Sequence, residues 1–444
     1  FKAYDIRGIY PTDIDEAGAK AIGSAFAAYL GSREIAVGFD MRLSSPSLKA
    51  AFIDGVNEQG VDVTDYGMLS TDMMYFAVAS NNHSGGAQIT ASHNPKQYNG
   101  VKLVREGAFP LSGEAGINDI RDMIEHGAIP APARKRGDVT SRSVLDPYVE
   151  HVMSFIDPTI IKPFNVVLDA GSGTAALAAP RCFDQLPCNT TKLCFEIDGN
   201  FPNHEANPLI EENRRDITEE VIRQKADVGI AFDGDADRCF FIDETGEFIS
   251  GDFITALLAQ AFLLKQPGAT IIYDLRASYA VKDVVTAHGG KALMNRVGHA
   301  FIKRRMRETN AVFGGEVTGH YYFRDNYYCD NGLIPALLML ELMSKHGKSL
   351  HHLLAPLREK YFISGEINTK LAHMDHVGPK LDAIAKKYAD GTQYRLDGLS
   401  VEYPDWHFNV RPSNTEPLLR LNLEATTPQK MAAKRDEVLA IIRS

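Results

Sequence analysis

The sequence is poor in several features that would place a protein quickly. It contains no uninterrupted apolar run of about 18 residues, the length a membrane-spanning helix requires, so no membrane span and no membrane partner are expected. It has five cysteines, Cys182, Cys188, Cys194, Cys239 and Cys329, an odd number without a CxxC pair. That argues against a disulfide framework and fits none of the usual zinc spacings. The thiols read as reduced and incidental in a cytoplasmic protein. Positive charge is not in excess: 47 Lys and Arg face 57 Asp and Glu, a net charge of −10. A general nucleic-acid binder would be basic, whereas a small anionic substrate can still find a local basic cleft on an acidic protein. The single tryptophan, Trp406, adjoins His407 and reads as packing rather than as a sugar platform. No signal peptide is visible, and the chain opens on Phe1, so a few residues are expected to precede it.

What is present is ordinary in amount and ordered in pattern. An apolar share of 44% and a charged share of 23% are those of a globular protein, and the length corresponds to about three average domains. Three segments read alike: Glu34 to Asp40, Phe164 to Asp169 and Ala269 to Asp274 are short runs rich in apolar residues that end in Asp. Each is followed by a polar or glycine-containing loop and a helix-compatible stretch, as in strands buried on both faces of a parallel sheet. A second strand-like run follows in each case and ends in reactive residues. Gly86 to Ala91 leads into Ser92-His93-Asn94-Pro95. Val228 to Phe232 leads into Asp233-Gly-Asp235-Ala-Asp237, and Ala311 to Phe313 leads into Gly314-Gly-Glu316-Val-Thr318-Gly-His320. Ligands in open α/β sheets bind beyond the carboxyl ends of strands. The last stretch differs. His407 to Val410 reads as a strand, residues 419–425 alternate apolar and polar, and Pro428 opens a predicted helix.

Asp233, Asp235 and Asp237 are spaced so that an extended or tightly turned loop points three carboxylates one way. Such a group repels itself unless a hard divalent cation joins it, and three protein ligands leave room in a magnesium octahedron for phosphate oxygens. An EF-hand also places acids at this spacing, with Glu244 at the twelfth position, but Arg238 stands where its sharp turn needs Gly and the flanks read as strands. A solvated acidic turn is the plain alternative. The Ser92 loop is held extended or turned by Asn94-Pro95; Ser, Asn and Pro also make ordinary turns, and no G-x-S-x-G elbow supports an acyl-transfer triad. Arg411-Pro-Ser413-Asn414-Thr415 offers a guanidinium fork, hydroxyls and turn N–H groups to a phosphate, with Arg420 on the polar face of the next strand. Glu316 and Thr318, on a glycine-flexed loop, suit sugar hydroxyls. Arg7 and Lys102 are basic residues beside glycines.

Together these loops resemble those of the α-D-phosphohexomutase family. The Ser92 loop is similar to its phosphoserine loop, Asp233 to Arg238 to its metal loop, Gly315 to His320 to its sugar loop, and Arg411 to Thr415 to its phosphate loop. They occur in the family's order and span nearly the whole chain. The resemblance implies an α/β fold: three topologically similar α/β domains with mixed, mostly parallel sheets, and a C-terminal α+β domain, arranged around a central cleft. Boundaries are expected at 1–142, 143–247, 248–360 and 361–444. Within the family, Phe1 to Gly8, Arg105 to Gly113 and His320 to Asp325 look most like bacterial phosphomannomutases. This implies interconversion of mannose 6-phosphate and mannose 1-phosphate, for GDP-mannose and polysaccharide synthesis, with phosphoglucomutase activity as the alternative.

By the same resemblance, Ser92 carries the phosphoryl group and, with Asp233, Asp235 and Asp237, binds Mg²⁺. Hexose 1,6-bisphosphate is intermediate and activator. His93, Arg7, Lys102 and His320 assist charge and proton movement. Arg238, Arg276, His299, Glu316, Thr318, Arg411, Ser413, Asn414, Thr415 and Arg420 bind substrate. The implied partner is a small hexose phosphate, and the chain is a monomer or homodimer. Thr318 stands where Ser is usual and Val317 where Met is common, which bears on sugar preference. A magnesium-dependent phosphatase and a non-catalytic sugar-phosphate sensor are the rivals; the first would release phosphate without isomerisation, and the second would have no use for a phosphoryl carrier.

Overall fold

The computed structural model describes residues 1–2, 5–413 and 417–444. The chain divides into two compact units: Phe1–Ser250, Gly298–Phe313 and Thr318–His351 form one, and Gly251–Val297, Gly314–Val317 and His352–Ser444 the other. Among the described residues, no helix is long and apolar enough to cross a membrane.

The first unit holds two sheets of related plan. In one, the order is Ile6–Ile9, Tyr98–Arg105, Gly85–Ile89, Glu34–Phe39, Asp62–Met68 and Val139–Ser141, with Phe109–Pro110 against Tyr98–Arg105. Glu34–Phe39 is parallel to both neighbours, and Gly85–Ile89 turns back antiparallel into Tyr98–Arg105. In the other, the order is Phe248–Ile249, Cys239–Asp243, Val228–Phe232, Asn165–Asp169 and Asn189–Leu193. Here Val228–Phe232 is parallel to Asn165–Asp169 and turns back antiparallel into Cys239–Asp243. The serine loop and the acidic loop therefore occupy the same place in two copies of one plan. Strands flank the acidic loop on both sides, which removes the EF-hand reading.

The central strands are buried because helices cover them. Glu16–Leu30 is started by Asp15, whose side chain accepts from the Gly18 N–H, and stopped by left-handed Gly31. It lies against Ser45–Glu58 at glycine contacts: a Cβ on Gly23 would meet the Phe52 carbonyl at 2.2 Å, and one on Gly55 the Lys20 carbonyl at 2.0 Å. Ile35, Val37, Phe26 and Phe52 fill the space beneath.

In the second unit, Thr270–Asp274 is parallel to Lys291–Asn295. The C-terminal sheet has the order Phe362–Ile363, Leu418–Ala425, Trp406–Pro412, Leu399–Tyr403 and Thr392–Tyr394, with Ile367–Lys370 also on Leu418–Ala425. Leu419, Leu421 and Leu423 face its core with Trp406, which stacks on Tyr403 and is packing, as expected. The helix Pro428–Arg443 is capped by Thr427.

Candidate active site

Each repeated unit ends its first strand on an Asp whose carboxylate accepts the N–H two residues on: Arg42 for Asp40, Gly171 for Asp169 and Arg276 for Asp274. In the first repeat this turn presents Arg42, a fully buried guanidinium. Arg42 binds Asp40 and donates to the carbonyls of Ser92, Asn94, Pro95 and Tyr98 at 2.6–2.9 Å. Those contacts tie down the carbonyls of an irregular, partly buried loop, and hydrogen bonds to a charged group contribute about 1.5–3 kcal/mol each. Ser92 is held there at φ 52, a left-handed conformation that serine adopts only when its surroundings impose it. Arg7 fixes the same loop from another side through Asn94 Oδ1 at 2.6 Å.

So held, Ser92 Oγ donates to Asp233 Oδ2 at 3.0 Å and lies 3.2 Å from His93 Nδ1. Burial and the charges of Arg238 and Arg7 push His93 well below the usual imidazole range, so it stays neutral and resists protonation. Gly234 permits the approach of the two loops, since a Cβ there would stand 2.8 Å from the Ser92 carbonyl.

Asp233, Asp235 and Asp237 are buried, each with an oxygen within 4.8 Å of the others. Lys102 donates to Asp235 Oδ2 and Asp237 Oδ2, both at 2.6 Å, and Thr71 Oγ1 donates to Asp235 at 2.6 Å. Burial works against the charge of Asp235, but Lys102 and Thr71 hold it below the carboxylate range. Burial and the charges of Asp235 and Asp237 push Asp233 well up. Burial opposes the Lys102 charge, yet the two carboxylates raise its pKa, so it remains an ammonium. One cation does not satisfy the group. Oδ1 of Asp235 and Oδ1 of Asp237 are buried without a hydrogen-bond partner among the described residues. Orphaned hard oxygens beside three carboxylates are what a small divalent cation requires, and the donor set fits Mg²⁺.

Beside this group, His320 Nδ1 lies 2.8 Å from Asp330, whose other oxygen takes Lys303 at 2.6 Å. The Asp330 contact engages Nδ1 and leaves Nε2 outside that pair. His299 stacks on His320, with ring centroids 6.1 Å apart. Arg238 donates its N–H to Asp233 Oδ1 and sets its Nε 3.5 Å from Oδ2.

The second unit gathers arginines. Asp274 binds Arg276 through Nε and Nη2 and accepts the N–H of Val317 in the sugar loop. Glu316 Oε2 lies 3.6 Å from Arg276. Arg411 and Arg420 stand directly opposite each other on antiparallel strands, a like-charge pairing that destabilises a sheet unless a counter-charge serves it. Glu366 is that charge, 3.4–3.5 Å from each of Arg276, Arg411 and Arg420. Burial opposes its charge, but the arginines hold its carboxyl below the usual range. Beyond Arg411, the Ser413 N–H donates to the Leu418 carbonyl.

The structure thus brings Ser92, His93, Arg7, Lys102, the three aspartates and Arg238 together, with His299 and His320 adjoining. It gathers Arg276, Glu316, Arg411 and Arg420 separately. Thr318 is half-buried on the turn after Val317, and Asn414 and Thr415 lie outside the described residues. Sequence reasoning missed Arg42, Lys303, Asp330 and Glu366. For Arg42 a signal existed: Asp40-Met-Arg42 repeats as Asp274-Leu-Arg276.

A held serine hydroxyl beside three carboxylates with orphaned oxygens, and three arginines gathered on Glu366, suit a phosphoryl-transfer enzyme of α/β build. Comparison with known proteins is specific. Residues 1–129, 146–246, 250–361 and 366–441 match domains I, II, III and the C-terminal domain of phosphoglucomutase/phosphomannomutase. The chain belongs to that family. A phosphomannomutase of Escherichia coli is 44% identical over 457 residues, covering 100% of this chain and 99% of its own. One from Vibrio cholerae is 43% identical over 99% of this chain and 96% of its own. A phosphoglucomutase/phosphomannomutase family protein of Burkholderia thailandensis superposes with a TM-score of 0.90 at 35% identity, covering 100% of this chain and 96% of that one.

Proposed function

We propose that the protein is a phosphomannomutase, converting mannose 6-phosphate and mannose 1-phosphate into each other and accepting glucose phosphates as second substrates. The full-length relatives named phosphomannomutase support the sugar. The observation that carries the chemistry is Ser92, strained and clamped by Arg42, with its hydroxyl 3.0 Å from Asp233 in a group of three buried carboxylates.

In this reading Ser92 starts as a phosphoserine. The non-reacting phosphate of the substrate is bound by Arg411, Ser413 and Arg420, displacing Glu366 from the arginines. Glu316 and Thr318 hold sugar hydroxyls, and Arg276 and His299 assist binding. The free sugar hydroxyl attacks phosphorus, a new P–O bond forms, and the bond to Ser92 Oγ breaks, giving hexose 1,6-bisphosphate. The hydroxyl proton passes to His320 Nε2, which Asp330 orients. Mg²⁺ held by Asp233, Asp235 and Asp237 would neutralise the transferring phosphoryl oxygens and the departing Oγ. Lys102, kept charged by the aspartates, supports that neutralisation rather than acting as a base. The bisphosphate reverses its orientation, and its other phosphoryl returns to Ser92. Phosphoryl transfer depends on positioning and charge more than on covalent help. The four-domain division at 1–142, 143–247, 248–360 and 361–444 belongs to this reading.

Incubation with glucose 1,6-bisphosphate, followed by peptide mass spectrometry, should place phosphate on Ser92 in the wild type and nowhere in Ser92→Ala. Equal labelling of the Ser92→Ala chain would remove Ser92 from its role.

A further inference from the structure

The second repeat breaks the pattern of the other two. Its strand also ends on an Asp, but the residue two further on is Gly171 rather than Arg, so no guanidinium serves Asp169. Two side chains from a later loop do so instead. Asn189–Leu193 runs parallel to Asn165–Asp169 with Leu193 opposite Asp169, which sets Cys194 beside the carboxylate. The chain then loops through residues 195–203 and returns with His204. Its Nε2 lies 3.0 Å from Asp169 Oδ2 and 3.6 Å from Cys194 Sγ.

We propose that Asp169, Cys194 and His204 form a metal site for a thiophilic divalent cation such as Zn²⁺, separate from the acidic centre. Three observations carry it. The ligand atoms of all three lie within 4.8 Å of one another. A tetrahedral zinc with bonds of about 2.0–2.3 Å sets neighbouring ligand atoms roughly 3.3–3.6 Å apart, close to the spacing of the sulfur and nitrogen here. Second, His204 Nδ1 is 3.0 Å from the Glu205 carbonyl, which only accepts, so Nδ1 carries a proton and Nε2 is the ring atom that faces a carboxylate and a sulfur. A single proton on Nε2 can serve only one of them; a cation serves both. Third, the surroundings are those that orient metal ligands. The Gly171 N–H occupies Asp169 Oδ1 and leaves Oδ2 to the site, and Asn203 Nδ2 donates to Cys194 Sγ at 3.3 Å. With three protein ligands, the fourth position falls to water.

The loop so closed has a place to act. Gly199 packs on the Met41 carbonyl, where a Cβ would come within 2.5 Å, and the Phe201 ring lies 5.5 Å from the Arg42 guanidinium. Arg42 is the clamp of the serine loop, so a cation tying Cys194 to His204 fixes the wall behind that clamp.

The test uses the full-length protein, freed of bound metal and supplied with Mg²⁺ to fill the acidic centre, then titrated with Co²⁺. One equivalent should bind with the near-ultraviolet charge-transfer absorption of a cobalt–thiolate bond. Affinity should fall at least about tenfold in Cys194→Ser and in His204→Asn, and be retained in Cys188→Ser and Asp235→Asn. Absence of the thiolate band in the wild type, or its survival in Cys194→Ser, overturns the site. Should Cys194→Ser fail to fold, the wild type decides alone: Zn²⁺ should protect Cys194 from alkylation, read by peptide mass spectrometry, and alkylation at an unchanged rate overturns the proposal.

Discussion

The acidic centre and the arginine centre are opposite solutions to one electrostatic problem. Each crowds like charges and each sets one counter-charge between several of them. Lys102 meets two carboxylates at 2.6 Å and is 5% exposed. Glu366 meets three guanidiniums at 3.4–3.5 Å and its side chain is 26% exposed. A buried, short ion pair holds only when its geometry is good and its remaining valences are satisfied. Lys102 is thus a permanent part of its centre, and it leaves Oδ1 of Asp235 and of Asp237 without a hydrogen-bond partner among the described residues. Glu366 is held at longer range and is more exposed. In the proposed reading, one centre keeps its charges in place through the reaction and the other exchanges Glu366 for the substrate phosphate.

This contrast can be broken in order of expected effect. Asp235→Asn should lower kcat on the order of 10²–10³-fold, as loss of a major electrostatic contact does, with KM moving little. Lys102→Met removes the permanent counter-charge and should destabilise by about 3–5 kcal/mol. Added Mg²⁺ should restore more of the melting temperature in this variant than in the wild type; equal gains would deny that both cations serve one group. Arg411→Ala should raise KM about tenfold or more through loss of a charged hydrogen bond, and unchanged KM and kcat would end its docking role. Glu366→Gln should tighten inorganic phosphate binding several-fold, by about 1 kcal/mol; weaker binding would mean that Glu366 supports the arginines rather than competing for them.

A separate, pH-dependent effect concerns the support of the acidic centre. Asp72 follows Thr71, which anchors Asp235, and burial pushes its carboxyl up to about 7 against hydrogen bonds from Ser70, Tyr148 and the Met73 N–H. An unfolded Asp titrates near about 3.9. Between these values the folded protein holds a proton that the unfolded chain has released, so stability falls as pH rises across the window. The decline in melting temperature from pH 5 to pH 8 should be shallower in Asp72→Asn.

The repeats, the acid spacing and the glycine-flexed loops were legible because each is local: short strands ending in Asp, then a reactive loop. The features that were not legible act at long range. Arg42 serves carbonyls about fifty residues away, Glu366 reaches back to Arg276 across ninety, and His320 depends on an Asp330–Lys303 pair that no spacing announces. Cys194 reads as incidental because no CxxC pair or usual zinc spacing includes it; Asp169 and His204 come to its side by strand register and by a loop that returns. Composition correctly left room for a basic site on an acidic chain, since the arginines gather on one sheet and turn.

The central claim, that Ser92 carries a phosphoryl group between two hydroxyls of one sugar, is most directly tested by following mannose 1-phosphate by phosphorus NMR with Mg²⁺ and a trace of glucose 1,6-bisphosphate. Conversion to mannose 6-phosphate at constant total sugar phosphate, abolished in Ser92→Ala, is the result expected. Steady release of inorganic phosphate without the 6-phosphate would contradict it.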